Sequence, residues 1–322
     1  MSVKTFAAID VGSFELTMKI FDFSGKNTMR EIDCIHQRID LGSDTYANGK
    51  ISNEKMDDLC HTLKEFSQIM ESYKVIAYKA YGTSAIRETE NTLILQDQIE
   101  QRTGIRVEIL SNSEQRFLDY KSIASKGETF RRIIEEKTAI LDIGGGSIQI
   151  SLFDKDTLVS TQNLRLGVLR LQELLNHLNA GSTQMEQLVD ELATAQLDDY
   201  KKLYLKDREI KNIIIVDDYL SPWAVRKAHE RGDGNAMVDS KAFYQLMEAL
   251  RTRGTTELAK RMDIAEEKVP LVYISAVLTR IAKHERTESL DIIVSEERIG
   301  NGLSSVAGAK HERKGLLRIT PG

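Results

Sequence analysis

The sequence contains few of the residues on which several classes of protein depend. Its 322 residues include 2 cysteines, 3 prolines and 1 tryptophan. Cys34 and Cys60 are too few for a disulfide scaffold, and the 6 scattered histidines show no metal-ligand spacing, so no zinc site is predicted. No apolar run approaches the ~20 residues that span a bilayer, and the N-terminus carries no secretory segment. We therefore expect a cytoplasmic protein with no membrane partner.

The charge composition is also without a strong bias. The formal net charge is −5, which gives no overall attraction to DNA or to an anionic membrane. DNA is therefore not an expected partner, and any polyanion would have to meet a local basic cleft. The length is sufficient for two domains of ordinary size.

One stretch, Thr138–Asp154 (TAILDIGGGSIQISLFD), carries the strongest local signal. An apolar run ends at Asp142, the chain turns through Gly144, Gly145 and Gly146, and Ser147 leads into a run with apolar residues at every second position. This pattern predicts a strand, a tight turn and a second strand. Consecutive glycines cost backbone entropy, and they suit a turn whose N–H groups approach an anion such as phosphate.

The chain repeats this arrangement near its start. In Phe6–Phe23 (FAAIDVGSFELTMKIFDF) an apolar strand reaches Asp10, Gly12 and Ser13 make the turn, and an alternating strand follows. Two ordinary hairpins are the simpler interpretation. The recurrence of an aspartate before each turn favours two similar lobes, with a phosphate-binding cleft between them.

The remaining chain alternates between helical and strand patterns. Strands are predicted over 75–81, 105–110 and 212–216, and a single helix over 85–102. The segment 40–50 is predicted to be turn and loop. The alternation indicates an α/β protein with parallel strands.

Five motifs occur in a recognisable order. They are DVGS at Asp10, TSAIRETEN at Thr83–Asn91, TGIRVEILSNSEQ at Thr103–Gln115, LDIGGGS at Leu141–Ser147 and LRLGVLRLQE at Leu164–Glu173. Together they resemble the exopolyphosphatase and guanosine pentaphosphate phosphatase (Ppx/GppA) family of the sugar kinase–actin–chaperone ATPase superfamily. The resemblance implies two ribonuclease-H-like lobes, which we place at 1–124, joined by a C-terminal helix at 303–322, and at 125–302.

The resemblance also implies a set of site residues. Asp10 and Asp142 would hold Mg²⁺ or another divalent cation, and Arg87 would clamp a phosphoryl group. Backbone N–H groups would bind phosphate at Gly12, Ser13, Gly144, Gly145, Gly146 and Ser147. For Arg87 the alternative is a surface arginine at a helix start, where a cation is unfavourable without an anionic partner. The implied partners are inorganic polyphosphate or guanosine penta- and tetraphosphate, and a homodimer is left open.

The sequence departs from the family pattern at its acids. Gln115 stands at the position of the catalytic glutamate, and Gln149 stands at the acid position after the glycine turn. Glutamine cannot accept a proton near neutral pH, although it can orient water. Glu114 or Glu15 is an alternative carboxylate, and each is also explained as a capping or surface residue.

Two functions therefore stay open, a phosphohydrolase of reduced activity and a binding or sensor protein without turnover. A sugar-kinase-like ATPase is disfavoured, because the loop Val216–Trp223 lacks a recognisable nucleoside motif. Within that loop, Tyr219 and Trp223 are expected either to stack on a base or to belong to the core.

Overall fold

The computed structural model describes residues 4–25, 28–124, 134–155, 157–179, 182–205, 210, 212–217, 219–220, 222–224, 226–227, 237–238, 240–282 and 292–295. These residues form two compact units, divided between residues 124 and 134. The domain limits expected from the sequence stay predictions. The helix expected over 303–322 lies outside the described residues.

The first unit is built on a five-stranded sheet. Its elements are β1 (Thr5–Val11), β2 (Glu15–Gly25), β3 (Thr28–Arg38), α1 (Leu41–Asn48), α2 (Asn53–Ser72), β4 (Val75–Gly82), α3 (Ser84–Glu88), α4 (Thr92–Thr103), β5 (Val107–Ile109) and α5 (Asn112–Ala124). The strand order is β3-β2-β1-β4-β5, in which the first three strands are antiparallel and β1, β4 and β5 are parallel.

The second unit repeats this order with one additional strand. Its elements are β6 (Thr138–Ile143), β7 (Ile148–Asp154), β8 (Thr157–Leu164), α6 (Val168–His177), α7 (Ser182–Tyr200), a π-helical turn (Lys201–Leu205), β9 (Asn212–Asp217), β10 (Met237–Val238), α8 (Ser240–Thr252), α9 (Thr255–Met262), a 3₁₀ turn (Glu266–Lys268), α10 (Val269–Ala282) and β11 (Ile292–Ser295). The sheet order β10-β11-β9-β6-β7-β8 places an antiparallel meander beside parallel strands, as in the first unit. The predicted α/β fold with two similar lobes is confirmed, and the cleft stays a prediction.

The core of the first unit follows from the alternation of its strands. One face of β1 and β2 is fully buried against α2 and α4, and α5 covers the opposite face. The first group includes Ile9, Leu16, Leu63 and Ile99. Apolar residues that recur every second position in the strands therefore pack against apolar residues that recur every 3.6 positions in the helices.

Two local expectations were wrong. The segment predicted as turn and loop over 40–50 contains α1, because Asp40 caps it from a left-handed backbone conformation (φ 51°) and its carboxylate accepts the N–H of Ser43. The single helix predicted over 85–102 is two helices, α3 and α4, separated at residues 89–91.

Candidate functional site

The first Asp-led turn is tight and is supported by α1. The N–H of Gly12 donates to the carbonyl of Glu15 at 3.2 Å, and a Cβ on Gly12 would lie 2.7 Å from that oxygen. Only glycine fits this approach. Ser13 Oγ lies 2.9 Å from Tyr46 Oη, and the carbonyl of Ser13 accepts the N–H of Gly42 at 2.7 Å. The turn is therefore fixed from both sides by its own strands and by a helix.

The two aspartates occupy equivalent places in their sheets. Asp10 is the penultimate residue of β1 and pairs across the sheet with Thr17, whereas Asp142 is the penultimate residue of β6 and pairs with Gln149. The chain separates the members of each pair by the same number of residues. This equivalence supports the predicted internal repeat at the level of single residues.

Arg87 and Gln115 are brought together in the first unit. Arg87 Nη1 donates to the carbonyl of Leu110 at 2.8 Å and to Gln115 Oε1 at 3.3 Å. Gln115 is 7% exposed. Two residues that are predicted to share one site thus contact each other, with the guanidinium donating to a neutral amide. The helix-start argument for Arg87 was wrong, since Arg87 lies in the last turn of α3.

Glu114 takes part in the capping of α5. Its carboxylate accepts the N–H of Ser111 at 2.9 Å and the hydroxyl of Ser111 at 2.7 Å, while Ser111 Oγ accepts the N–H of Glu114 at 3.2 Å. This reciprocal arrangement is a capping box. The backbone and hydroxyl hydrogen bonds lower the pKa of the exposed Glu114 carboxyl. Its role as the site's carboxylate stays a prediction.

The last residues of the TSAIRETEN motif hydrogen-bond to the segment before α2. Asn91 donates from Nδ2 to the carbonyl of Ile51 at 2.8 Å, and the N–H of Ile51 donates to Asn91 Oδ1 and Thr89 Oγ1. These bonds hold the segment before α2 against the break between α3 and α4. One half of the motif therefore positions Arg87, and the other half joins two helices.

The second Asp-led turn lies against the start of α6. The carbonyls of Gly144 and Gly145 accept the N–H groups of Val168 and Leu169 at 2.9 and 3.0 Å. Arg170 Nε donates to the carbonyl of Gly146 at 2.9 Å. Arg170 thus contacts this turn through its side chain. The turn's carbonyls thus point to α6. The predicted phosphate site would use the backbone N–H groups of the same turn.

Gly167 is a residue whose importance the sequence did not reveal. A Cβ at this position would lie 2.2 Å from the carbonyl oxygen of Gly145 and 2.3 Å from the nitrogen of Ser147. Two backbones pass here without room for any side chain. The LRLGVLRLQE motif therefore supplies the glycine against which the second Asp-led turn packs.

Asp142, Gln149 and Asn163 form a row across β6, β7 and β8. They are direct cross-strand neighbours, and the first two are 7% and 4% exposed. The buried oxygens Gln149 Oε1 and Asn163 Oδ1 accept no hydrogen bond from any described residue. An unsatisfied buried acceptor costs ~1–3 kcal/mol. A hydrogen-bond donor or a cation bound at these two oxygens would remove this cost.

The row's donor set fits Mg²⁺, which prefers hard oxygen ligands and is commonly held by one or two carboxylates with substrate phosphates. Within the described ranges, no group of three or more histidine, cysteine, aspartate or glutamate residues could hold a metal ion. The metal roles of Asp10 and Asp142 stay predictions.

The loop after β9 is part of the core. Tyr219 and Trp223 are buried, and the carboxylate of the fully buried Asp217 accepts the N–H of Tyr219 at 2.5 Å and the hydroxyl of Ser275. Burial supports the core alternative for both aromatic residues over stacking on a base. Among the residues described, no helix is both long and apolar enough to cross a bilayer.

Comparison with known families agrees with these features. The model of the Ppx/GppA phosphatase family matches residues 22–278, so the chain belongs to this family. It is 27% identical over 144 residues to exopolyphosphatase 1 of Mycobacterium tuberculosis, a match that covers 44% of this chain and 40% of that protein. It is 23% identical over 210 residues to a bifunctional 3-dehydroquinate synthase/phosphatase of Fusobacterium nucleatum, a match that covers 61% of this chain and 31% of that protein.

Solved structures show the same fold. An exopolyphosphatase from Cytophaga hutchinsonii superposes with a TM-score of 0.81 at 19% identity, over 95% of this chain and 98% of that one. The Aquifex aeolicus Ppx/GppA family member superposes with a TM-score of 0.72 at 16% identity, over 96% and 99%. The resemblance inferred from the motifs is therefore confirmed for family and fold.

Proposed function

We propose that this chain is a slow phosphohydrolase that releases terminal phosphate from inorganic polyphosphate or guanosine pentaphosphate. The contact between Arg87 and the buried Gln115 carries the proposal, because it assembles a phosphate-binding arginine and a water-orienting amide at one place. The family's phosphatase character and its exopolyphosphatase relatives support the substrate class.

The two turns and Arg87 would bind the phosphate chain. The N–H of Gly144 closes the turn on the carbonyl of Ser147 at 2.9 Å, and the backbone N–H groups of the residues that follow Gly144 would bind anionic oxygens. Arg87 would bind a phosphoryl group through its planar guanidinium, which matches phosphate better than an ammonium group does. Asp142, Gln149 and Asn163 would hold Mg²⁺ through oxygen atoms, and Mg²⁺ when bound would neutralise charge on the phosphates.

Gln115 would orient the attacking water through its amide. The oxygen of water forms a bond with the terminal phosphorus and the bridging P–O bond breaks. The electron pair of that bond leaves on the bridging oxygen of the shortened polyphosphate, or of guanosine tetraphosphate, and the terminal group is released as orthophosphate. The proton of water passes to solvent or to a phosphate oxygen, since an amide does not accept it. Loss of a general base typically lowers a rate by ~10²–10⁴-fold, so slow turnover is expected.

A binding or sensor protein without turnover is the second candidate. The observation that favours it is the presence of amides at both acid positions, Gln115 and Gln149. It would bind polyphosphate or guanosine tetra- and pentaphosphate and release no phosphate.

One experiment separates the two candidates. Phosphate release is measured with polyphosphate, guanosine pentaphosphate and ATP, each with and without Mg²⁺, for the wild type and for Asp142→Ala. Slow release that requires Mg²⁺ and is lost in the variant supports hydrolysis. Binding by calorimetry without release supports the sensor, and the absence of both removes the proposal. The predicted location and the homodimer alternative stay predictions.

A further inference from the structure

Three side chains form a hydrogen-bonded chain on one face of β2 and β3. Cys34 Sγ lies 3.2 Å from His36 Nε2, and His36 Nδ1 lies 3.3 Å from Glu15 Oε1. Cys34 and His36 are two residues apart on β3, so they share a face, and Thr17 Oγ1 also lies 3.2 Å from His36 Nδ1. Both ring nitrogens of His36 are therefore within hydrogen-bonding distance of partners.

This order of groups is that of an activated nucleophile. A thiol lies beside an imidazole, and a carboxylate orients the imidazole from its other nitrogen. The contact with Cys34, followed by that with Glu15, raises the pKa of His36 to about 10. A protonated His36 between a sulfur and a carboxylate is thus electrostatically favoured, and reactive thiols are found beside such cations.

Cations also lie near the cluster of Cys34, His36 and Glu15. Lys19 stands directly opposite Cys34 on β2, and its ammonium group lies 3.0 Å from Glu31. Arg38 stands opposite Glu15. Two cations and two carboxylates therefore surround the cluster, and a cation occupies the position across from the sulfur.

We propose that Cys34 is a reactive thiol that His36 activates and Glu15 orients, and that peroxides oxidise it. β3 is an edge strand, and the side chain of His36 is 54% exposed, so a small oxidant reaches this face. The thiolate attacks one peroxide oxygen, an S–O bond forms and the O–O bond breaks. The departing hydroxide takes the proton of the imidazolium and leaves as water, so sulfur is oxidised to sulfenic acid and the peroxide is reduced.

Cys60 provides an internal comparison. It is 3% exposed within the α2 core, and burial raises the pKa of its thiol. The charges of Arg102 and Asp57 also shift this pKa, and each acts less than burial does. Cys60 is thus buried, whereas Cys34 lies beside an imidazole on an edge strand.

The test is the alkylation rate of each cysteine by iodoacetamide, followed by mass spectrometry on the folded chain over a range of pH. We expect Cys34 to react at least about tenfold faster than Cys60 near neutral pH, where an unassisted thiol is only a few per cent ionised. His36→Gln should lower the Cys34 rate by about tenfold and move its pH profile to higher pH. His177→Gln, an exposed histidine of α6, is the matched control and should change neither.

A second arm uses hydrogen peroxide with a dimedone-type probe for sulfenic acid. Labelling should appear at Cys34 in the wild type and fall in His36→Gln. If Cys34 reacts no faster than Cys60, or if His36→Gln leaves both rate and pH profile unchanged, the proposal is overturned. The readouts do not involve phosphate, so they are independent of the proposed function.

Discussion

Replacing Gln115 with glutamate should restore a general base at a place the fold already provides. Gln115 Oε1 lies 3.3 Å from Arg87 Nη1, and the side chain is 7% exposed. At an effective dielectric constant of about 20, a carboxylate at this distance would gain ~5 kcal/mol from the guanidinium. Desolvation of a buried charge costs several kcal/mol, so the two effects roughly cancel. The variant should therefore fold, with its new carboxylate ionised near neutral pH.

We expect Gln115→Glu to release phosphate faster than the wild type. Phosphate release from polyphosphate with Mg²⁺ should increase by ~10²-fold or more in Gln115→Glu, since a positioned base typically contributes ~10²–10⁴-fold. The matched control is Gln101→Glu, which makes the same chemical change at an exposed position on α4. Its rate should equal that of the wild type.

Two results for Gln115→Glu would contradict this prediction. If Gln115→Glu folds, keeps its affinity for polyphosphate and releases phosphate no faster than the wild type, then a missing base is not what limits turnover. A thermal melt that shows the variant unfolded would instead refute the estimate that attraction and desolvation balance.

Other predictions concern binding and stability. Arg87→Lys should weaken polyphosphate binding by ~1–2 kcal/mol in calorimetry, because an ammonium group cannot form the two parallel bonds of a guanidinium. Gly167→Ala should destabilise the chain by more than ~2 kcal/mol in urea unfolding, since its Cβ would lie 2.2 Å from the carbonyl oxygen of Gly145. Hydrogen bonds from Arg251 lower the pKa of Glu186 from 4.5 to about 2. This pair should therefore stabilise the fold near neutral pH by ~1–2 kcal/mol, after allowance for solvent screening, and the difference from Glu186→Gln should vanish as pH falls from 4.5 to about 2.

The sequence predicted the strands of both hairpins because their apolar residues are buried. Alternation with period two predicted β2 and β7, and apolar runs predicted β1 and β6. The sequence-based prediction was wrong where a capping residue starts a helix. Asp40 adopts a left-handed conformation and starts α1 at a segment whose composition is typical of a turn. The break between α3 and α4 depends on Thr89 and Asn91 bonding to Ile51, which is distant in sequence.

The candidate site was predictable in its residue types but not in its contacts. The motifs named Arg87 and Gln115, and only the packing of α3 beside β5 and α5 brings them together. Asn163 carries no motif, and its place beside Gln149 follows from the register of β7 and β8. Gly167 is one of 20 glycines, and its necessity appears only when the neighbouring turn is in place.

On the proposed function, the amides of Gln115 and Gln149 have a consequence beyond the lack of a base. Each glutamate would add a negative charge near a ligand that is itself a polyanion, and like charges in a partly buried site repel by several kcal/mol unless a cation intervenes. Gln115 and Gln149 remove both charges while keeping the oxygen atoms that bind metal or water. The chain should therefore hold polyphosphate better without Mg²⁺ than a carboxylate-bearing variant does. Calorimetry on the double variant Gln115→Glu, Gln149→Glu should show a weaker Mg²⁺-free affinity by at least about tenfold, with most of the loss recovered when Mg²⁺ is added. An unchanged Mg²⁺-free affinity would mean that these two positions do not face the phosphate chain.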